Sequence, residues 1–526
     1  MIVPKYFEDL NVLHKNTMPN RAYYIPASVP MDLQPETRET SDRFLLLSGD
    51  WKFRYFENIY DVKEEFFQDG YDTAAFDEVK VPGVWQNYGY DHHQYTNVRY
   101  PFPMDPPYVP VVNPCGAYVR YFSYKKDSKA PKTYLNFEGV DSCFYVWVNG
   151  SFVGYSQVSH STSEFDVTEL LREGENTLAV LVVKWCDGSY FEDQDKFRMS
   201  GIFRDVYLLN RPENGIQDYF VKAIPSEDYQ DGTITIDFTY RKEPVPVNIT
   251  LSDAEGKTLA QVTAEGQVSI PVKNAHLWSA EDPYLYKLVL STGEEAITEQ
   301  VGIREIHTEK GVLYINGVKV KFHGTNRHDS DPVTGFAISL DQIKKDLTLM
   351  KEHNINAIRT SHYPNAPWFP QLCSELGFYV IGEADLETHG VCTVLNGRFS
   401  TIARDPMFHD AILDRVQRDV IRDKNNACIV MWSLGNESGY GQNMVDAAKW
   451  VKSYDPTRLV HYESVGYEPS DADYDQSCLD LKSRMYASTA DIDAYFADPA
   501  NKKPFIQCEY VHSMGNGPGD IEDYVQ

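Results

Sequence analysis

Apolar and polar positions follow two different patterns along this chain, and the change falls near residue 304. Beyond that point, short and nearly unbroken apolar runs are followed by stretches with helical spacing, such as Ile343, Leu347 and Met350 within residues 340–354. Apolar strands that alternate with helices are typical of a parallel sheet buried on both faces. The runs predicted to be strands span residues 320–326, 356–361, 378–387, 428–437, 458–464, 483–488 and 504–510.

This repetition predicts a TIM barrel in residues 304–526 that lacks its last strand. A closed (β/α)8 barrel needs eight strands, and the pattern supplies seven before the sequence stops at Gln526. We therefore expect either a barrel completed by another chain or a truncated chain. The remaining helices are predicted near residues 366–377, 408–424 and 443–454.

The first 303 residues show strand-like alternation punctuated by turn signals. This pattern predicts a jelly-roll β-sandwich in residues 41–211. Residues 212–303 form a shorter β segment, which favours an immunoglobulin-like sandwich that serves as a spacer. Residues 1–40 have no strong period, and we expect an extended arm over the surface that could serve at a subunit contact. The clearest strands of the jelly roll span residues 51–56, 133–140, 144–150 and 176–185.

Composition and charge narrow the choice of partners. The chain is 42% apolar and 13% aromatic, and its formal charge is −28. So acidic a surface repels phosphate backbones and anionic lipids, which argues against nucleic-acid or membrane partners and favours neutral substrates. No apolar run could span a membrane, the start lacks a signal-peptide pattern, and the eight cysteines form no CxxC pair. We therefore expect a cytoplasmic location with reduced thiols.

Polar residues gather where the predicted barrel strands end, which is the face that carries the active site in a TIM barrel. An unpaired buried charge costs several kcal/mol, so this collection favours a functional role over a structural one. The residues are Asn326, Arg327, His328, Arg359, His362, Glu383, Asp385, Glu387, His389, Asn436, Glu437, Glu463, Tyr486, Glu509 and His512.

Two of these carboxylates, Glu437 and Glu509, suit glycoside hydrolysis. One carboxyl group protonates the leaving oxygen while the other attacks the anomeric carbon. A retaining enzyme holds the pair about 5–5.5 Å apart and an inverting enzyme about 6.5–9.5 Å apart, and the sequence leaves that distance open. The alternative for Glu437 is that it only caps the helix predicted to start near Asn443.

Glu387 and His389 could take part in a metal site. They are two residues apart, so an extended backbone would point both side chains in the same direction, and Glu437 could complete the site. Carboxylates favour Mg²⁺ or Mn²⁺, and a histidine is more natural for Mn²⁺ or Zn²⁺. The alternative is a hydrogen-bonded pair without a metal.

Two loops of the predicted jelly roll are rich in aromatic residues, one with several prolines and the other with several acidic residues. They span residues 92–110 and 187–205. Each could reach a carbohydrate in a neighbouring site, or each could be a rigid surface loop.

Seven motifs, in order along most of the chain, resemble glycoside hydrolase family 2, and within it the enzymes of lactose operons. This resemblance implies the three-domain order predicted above and retaining hydrolysis of terminal β-D-galactosides such as lactose. A related activity on β-glucuronides or β-mannosides, and a non-catalytic galactoside-binding fragment, stay open as alternatives. The motifs are YTNVRYPF (95–102), DGSYFEDQDKFRMSGIFRDV (187–206), TNRHD (325–329), RTSHYPN (359–365), EADLETHG (383–390), MWSLGNESGYG (431–441) and CEYVHSMGN (508–516).

The resemblance also implies roles by position. Glu437 would be the general acid/base, and Glu509 the nucleophile, oriented by Arg359. Glu387, His389 and Glu437 would bind Mg²⁺ (or Mn²⁺), and Asp195 would bind Na⁺. An assembly of identical chains, or one with a small subunit, would be expected. The positions implied to line the galactose pocket are Asn97, Asp195, His328, His362, Asn436, Tyr486 and His512.

Overall fold

The computed structural model describes residues 1–32, 35–517 and 519–525, and it confirms the predicted fold class. Two β-sandwiches precede a βα-repeat domain, and an irregular arm comes before them. Short 3-10 helices occur at Tyr6–Glu8, Pro35–Thr40, Ile59–Asp61, Trp85–Tyr88, Asp187–Phe191, Pro406–Phe408 and Pro469–Asp473.

The jelly roll packs two antiparallel sheets face to face, in the orders β1-β12-β5-β9 and β3-β2-β4-β10-β7-β8. A further pair joins β6 and β11. The strands are β1 (Phe44–Leu46), β2 (Gly49–Phe56), β3 (Asp77–Val81), β4 (Cys115–Tyr124), β5 (Lys132–Phe137), β6 (Val140–Asp141), β7 (Cys143–Val148), β8 (Ser151–Gln157), β9 (Ser163–Asp166), β10 (Gly174–Val183), β11 (Gly201–Ile202) and β12 (Val206–Arg211).

The larger jelly-roll sheet is covered on both faces, and this explains why its central strands are apolar without a break. On β7, Phe144 and Val146 face the core between the two sheets. Their neighbours Tyr145 and Trp147 face a second core, which includes Phe7 of the arm and side chains of the barrel. Because successive strand residues point to opposite faces, a sheet buried on both sides needs apolar residues at every position.

The immunoglobulin-like domain also consists of two sheets, in the orders β13-β14-β17 and β16-β15-β18-β19. It is more than an apolar spacer, because Arg211 and Glu295 form a fully buried ion pair (Nε to Oε2, 2.6 Å) beside it. Its strands are β13 (Ile216–Pro225), β14 (Gly232–Tyr240), β15 (Val247–Ser252), β16 (Thr258–Ala264), β17 (Val268–Val272), β18 (Tyr286–Ser291) and β19 (Ala296–Val301).

A small sheet leads into the barrel, and seven parallel strands of the barrel then fall within the described residues. The small sheet holds β20 (Ile306–Glu309), β21 (Val312–Ile315) and β22 (Val318–Lys319). The barrel strands are β23 (Gly324–Asn326), β24 (Ala357–Arg359), β25 (Tyr379–Glu383), β26 (Ile429–Ser433), β27 (Leu459–His461), β28 (Lys482–Met485) and β29 (Phe505–Glu509). The helices are α1 (Leu340–Glu352), α2 (Phe369–Leu376), α3 (Gly390–Val394), α4 (Thr401–Arg404), α5 (His409–Asp423), α6 (Gln442–Tyr454), α7 (Thr489–Ala497) and α8 (Ile521–Val525).

The barrel strands form two sheets. Strands β23 to β27 pair in sequence order, while β28 and β29 pair with each other. Side chains bridge the two sheets, since His461 Nε2 lies 2.8 Å from Ser483 Oγ. On the other side, Asn326 Nδ2 of β23 donates to the Cys508 carbonyl of β29 (2.9 Å). These contacts bring all the strand ends to one face.

The N-terminal arm has little regular structure, as predicted, but it does not simply lie over the surface. Phe7, Tyr24 and Ile25 are buried, with at most 4% of each exposed. The backbone of Lys15 pairs with that of Tyr155 at the edge of β8. The arm therefore fills gaps between domains, which the lack of periodicity in its sequence could not reveal.

Candidate active site

The carboxyl ends of the barrel strands place the predicted catalytic residues within one polar network. Arg359, Glu383 and Glu509 are the last residues of β24, β25 and β29. Glu437 follows β26 by four residues, after a turn at Gly435 with φ of 141°. Buried apolar strands fix these ends in space, and the polar side chains then project into a shared mouth.

Glu509 accepts hydrogen bonds on both of its carboxylate oxygens. Arg359 Nη1 donates to Oε1 over 3.3 Å, and Tyr486 donates its hydroxyl to Oε2. His362 Nε2 also lies 3.5 Å from Oε1. These contacts fix the orientation of the Glu509 carboxylate at the mouth of the barrel.

Arg359 connects Glu509 to two further residues of the site. Its Nε donates to Glu383 Oε2 (2.7 Å), and its Nη2 donates to Asn436 Oδ1 (2.8 Å). Only 3% of Arg359 is exposed. The planar guanidinium is therefore fixed by three partners, which makes its orientation toward Glu509 rigid.

Glu437 adopts an uncommon backbone conformation for a residue with a side chain, with φ of 40°. Its amide donates to Glu463 Oε1 (2.6 Å), and His389 Nδ1 donates to its Oε2 (2.6 Å). The alternative role as a helix cap is wrong, because α6 begins at Gln442 with Gly441 as its N-cap. The observed bonds hold the carboxyl group toward the mouth of the barrel.

The structure brings the three residues of the predicted metal site together. One ligand atom from each of Glu387, His389 and Glu437 lies within 4.8 Å of the others. Burial, followed by repulsion from Glu437, raises the pKa of Glu387 well above its usual range. Burial lowers the pKa of His389, but the hydrogen bond to Glu437 and the negative charges of Glu437, Asp193 and Glu463 together raise that pKa overall. Two crowded carboxylates with an imidazole fit a divalent cation, which would relieve their repulsion.

Asn436 lies between the metal cluster and the nucleophile. Its Oδ1 accepts from Arg359, while its Nδ2 donates to Glu387 Oε2 (2.8 Å) and lies 3.4 Å from Glu437 Oε2. One amide therefore links both carboxylates of the predicted pair to a common scaffold.

Two histidines of the predicted galactose pocket are held neutral. Burial and then Arg359 lower the pKa of His362 far below its usual value, while its Nδ1 donates to Glu383 Oε1 (2.8 Å). Burial and then His362 lower the pKa of His328 to about 3. A neutral imidazole keeps one ring nitrogen as an acceptor, so each ring can bind a sugar hydroxyl.

The remaining predicted residues lie around this network at different distances from its centre. Tyr486 is 49% exposed, and the hydroxyl of Tyr486 lies 3.4 Å from His512 Nδ1. Asn97 uses its Oδ1 to accept from the Val98 amide (2.6 Å) and has a φ of 52°. Among the described residues, no hydrogen bond connects Asn97 to Glu437 or Glu509.

The loop at residues 187–205 reaches the barrel and contacts the backbone around the predicted metal site. The Glu387 amide donates to the Phe191 carbonyl (2.7 Å), and Asp193 Oδ2 accepts from the Gly390 amide (2.7 Å). Asp195 Oδ1 is buried without a hydrogen-bond partner among the described residues, which leaves a charged oxygen available to a cation such as Na⁺. The loop at residues 92–110 is bound to this loop, because the Arg198 amide donates to the Gln94 carbonyl (2.8 Å).

Two further carboxylates support the site in roles that the sequence did not assign. Glu383 accepts from Arg359, His362 and Ser433, so it anchors the first two. Glu463 holds the Glu437 amide, and burial followed by the Glu437 charge raises the pKa of Glu463 to about 7. Their position at strand ends was the only sign in the sequence that they belong to the site. Their hydrogen-bond partners are visible only in the folded structure.

Known protein families account for the three domains of this chain. Three family models match consecutive parts of the chain: "Glycosyl hydrolases family 2, sugar binding domain" at residues 44–212, "Glycosyl hydrolases family 2" at 214–304, and "Glycosyl hydrolases family 2, TIM barrel domain" at 306–526. The chain belongs to glycosyl hydrolase family 2. The family predicted from the motifs is thereby confirmed, and the barrel strand ends described above fall in the third match.

Curated relatives of high similarity carry the name beta-galactosidase. The chain is 49% identical to that of Actinobacillus pleuropneumoniae over 551 residues, which cover 100% of this chain and 54% of the relative. It is 44% identical to that of Staphylococcus xylosus over 530 residues, covering 100% of this chain and 53% of the relative. The chain thus spans about half the length of the curated relatives it matches.

Solved family 2 structures share the fold at lower identity. A Ruminococcus gnavus beta-glucuronidase superimposes with a TM-score of 0.74 at 19% identity, covering 92% of this chain and 84% of the other. An uncultured Clostridium sp. beta-glucuronidase superimposes with a TM-score of 0.72 at 22% identity, covering 92% of this chain and 85% of the other. Such identities establish the architecture alone. Among the described residues, no helix is both long and apolar enough to cross a membrane.

Proposed function

We propose that this chain carries the catalytic centre of a retaining β-galactosidase, which hydrolyses terminal β-D-galactosides such as lactose. The observation that carries the proposal is the placement of two carboxylates on one network. Glu509 is bound by Arg359 and Tyr486, and Glu437 is joined to the same guanidinium through Asn436. The names of the relatives from Actinobacillus pleuropneumoniae and Staphylococcus xylosus support the choice of galactosides.

The two carboxyl groups have different surroundings, and these favour different roles. Glu509 faces the guanidinium of Arg359, which orients its carboxylate for attack on the anomeric carbon. Glu437 then protonates the departing glycosidic oxygen. In the second half of the reaction it takes a proton from water, which cleaves the galactosyl–Glu509 ester with net retention.

The surrounding residues bind the sugar and shape the site. His328 and His362 offer neutral imidazole nitrogens, and Asn97, Asp195, Tyr486 and His512 lie on the loops and strand ends around them. In our proposal these residues bind the galactose hydroxyls.

Metal ions complete the proposed site. Glu387, His389 and Glu437 would hold Mg²⁺ (or Mn²⁺), which would supply positive charge beside Glu437. Asp195 would contribute its unpaired carboxylate oxygen to Na⁺. We also infer a cytoplasmic enzyme, supported by free cysteines such as the half-buried Cys392. Assembly with identical chains or with a small subunit belongs to the same proposal, and a native mass measurement tests it.

Replacing Glu509 with Gln tests the catalytic assignment. We expect the Glu509→Gln substitution to lower turnover of nitrophenyl β-D-galactoside by more than about a thousandfold, because an amide cannot form the galactosyl ester. Galactose binding should persist. Near-normal turnover by the variant would refute the nucleophile, and a preference of the unmodified protein for nitrophenyl glucuronide or mannoside would refute the galactoside.

A further inference from the structure

Two aromatic side chains stand beside Glu437, outside the residues assigned so far. The rings of Phe399 and Tyr467 have centroids 4.8 Å apart, and the Phe399 ring lies 5.3 Å from the His389 imidazole. His389 in turn donates to Glu437. We call Phe399 and Tyr467 the aromatic wall.

The aromatic wall is open to a ligand although it is made of large apolar rings. Tyr467 is 42% exposed, and Phe399 is partly exposed. The side chain of Glu437 beside it is 21% exposed. An aromatic face left open next to a catalytic carboxylate offers a stacking surface to a flat or ring-shaped ligand.

Hydrogen bonds on both loops hold the aromatic wall in place. The Tyr467 hydroxyl donates to Glu463 Oε2 (2.8 Å), the carboxylate that also holds the Glu437 amide. Next to Phe399, the Ser400 amide donates to Glu468 Oε1 (2.7 Å), which lies next to Tyr467 in the chain. Rigid rings of this kind bind a ligand with little loss of side-chain entropy.

The position of the aromatic wall relative to the two carboxylates decides which part of a substrate it would meet. In a retaining mechanism the acid/base lies beside the leaving group, and the nucleophile approaches the opposite side of the anomeric carbon. The wall adjoins the partners of Glu437, namely His389 and Glu463. The side chains that contact Glu509 are different ones, among them Arg359 and Tyr486.

We propose that Phe399 and Tyr467 form the leaving-group subsite and stack against the apolar face of a neutral pyranose or aryl aglycone. This inference rests on the proposed galactosidase function. It makes the two residues determinants of aglycone preference, while galactose itself is bound by the other residues of the pocket.

Calorimetric binding with two probes tests the subsite without requiring turnover. Galactose fills the pocket alone, whereas phenyl β-D-thiogalactoside carries the same sugar with an aryl group in the leaving position. We expect Phe399→Ala and Tyr467→Ala each to weaken binding of the thiogalactoside about 3- to 10-fold, the usual range for a lost aromatic contact. The affinity of both variants for galactose should stay unchanged. Unchanged galactose binding would also show that each variant is folded.

Matched variants separate the ring from other effects. Tyr467→Phe keeps the ring and loses only the hydroxyl contacts to Glu463 and Met485, so it should retain thiogalactoside binding. Phe152→Ala and Tyr121→Ala remove rings of similar exposure (39% and 46%) from the jelly roll and should change neither affinity.

Three outcomes would overturn the inference, and one of them concerns the parent proposal. Unchanged thiogalactoside binding in both alanine variants, or equal losses for both probes, would remove the aromatic wall from the leaving-group site. If the unmodified protein binds neither probe, the galactosidase proposal fails and the subsite fails with it.

Discussion

Arg359 shows at the scale of one residue how a single side chain orders the site. Its guanidinium touches Glu383, Asn436 and Glu509, so one rigid group sets the positions of three others. The sequence predicted charged residues at the strand ends, and the resemblance paired Arg359 with Glu509. The sequence could not identify Glu383 as the residue that anchors Arg359. Several carboxylates lie at strand ends, and only the folded structure shows which one Arg359 contacts.

Removal of divalent cations is expected to slow hydrolysis. Without a cation, Glu387 and Glu437 repel each other within the metal cluster, and His389 is drawn to Glu437. Treatment with a chelator should therefore lower kcat, and added Mg²⁺ should restore it.

A variant of the same cluster gives the control for chelation. Glu387→Gln removes one ligand charge and should weaken Mg²⁺ binding by more than about tenfold, measured by titration calorimetry. Activity that is indifferent to both the chelator and this variant would exclude a catalytic metal at these residues.

At the scale of elements, the loops after the strands matter more than the strands themselves. The sequence placed β24, β25 and β26 within a few residues of their observed bounds, because buried apolar runs mark them clearly. It could not place Phe399 beside Tyr467, since they are distant in sequence and belong to irregular loops. Non-local contacts between loops leave no periodic signal.

Gly439 illustrates such a contact between loops, and its replacement should disturb the site. It has φ of 68°, and a Cβ there would collide with the backbone of Ser400, beside Phe399. Gly439→Ala should therefore cost the left-handed strain of about 1–2 kcal/mol and, in addition, about 1–3 kcal/mol for the collision. Urea unfolding measures the sum, and kcat should fall because the Glu437 loop shifts.

Gly397 provides the matched control for Gly439. It has φ of 85°, and no other atom lies within 4 Å of the position that a Cβ would take, so Gly397→Ala should cost only the strain. Equal losses of stability in the two variants would show that the contact with Ser400 is not tight.

The immunoglobulin-like domain carries a carboxyl group that should make stability depend on pH. Burial raises the pKa of Glu299 from 4.5 to about 7, although Tyr219 donates to its Oε2 (2.7 Å). Between pH 4.5 and 7 the folded state keeps a proton that the unfolded chain releases, so stability from this group falls as pH rises. The loss should reach about 3 kcal/mol by pH 8.

Glu299→Gln should abolish that dependence. The difference in free energy of unfolding, variant minus wild type, should therefore increase from pH 4.5 to pH 8. Urea unfolding at several pH values measures this difference. The exposed neighbour Glu294 serves as the control, because Glu294→Gln should leave the profile of the wild type unchanged. A variant profile parallel to the wild type would contradict the assignment.

For the whole molecule, the domains share cores and ion pairs and are not independent units. Composition and strand patterns predicted the three architectures, but they could not predict the shared core under β7 and β10 or the buried arm. Arg415 of α5 spans one junction, donating to Glu192 Oε1 (2.8 Å) and to the Gly188 carbonyl (3.1 Å) of the jelly roll.

Breaking this junction should destabilise the whole chain. Arg415→Met leaves Glu192 buried without its guanidinium and is expected to cost about 3–5 kcal/mol in urea unfolding. Lys52→Met breaks the exposed pair with Glu78 and should cost less than about 1 kcal/mol. Comparable costs in both variants would mean that the domains are coupled by packing alone.

The division of the barrel strands into two sheets has a consequence for the distance between the two carboxyl groups of the proposed pair. Glu509 ends β29 and Tyr486 follows β28, whereas Arg359 ends β24 and Glu437 follows β26 of the larger sheet. In the proposed mechanism, the separation between the Glu509 nucleophile and the Glu437 proton donor therefore depends on how these two sheets meet. A small shift of one sheet against the other would change this distance and slow both steps of the proposed reaction, because each step needs both carboxyl groups correctly placed.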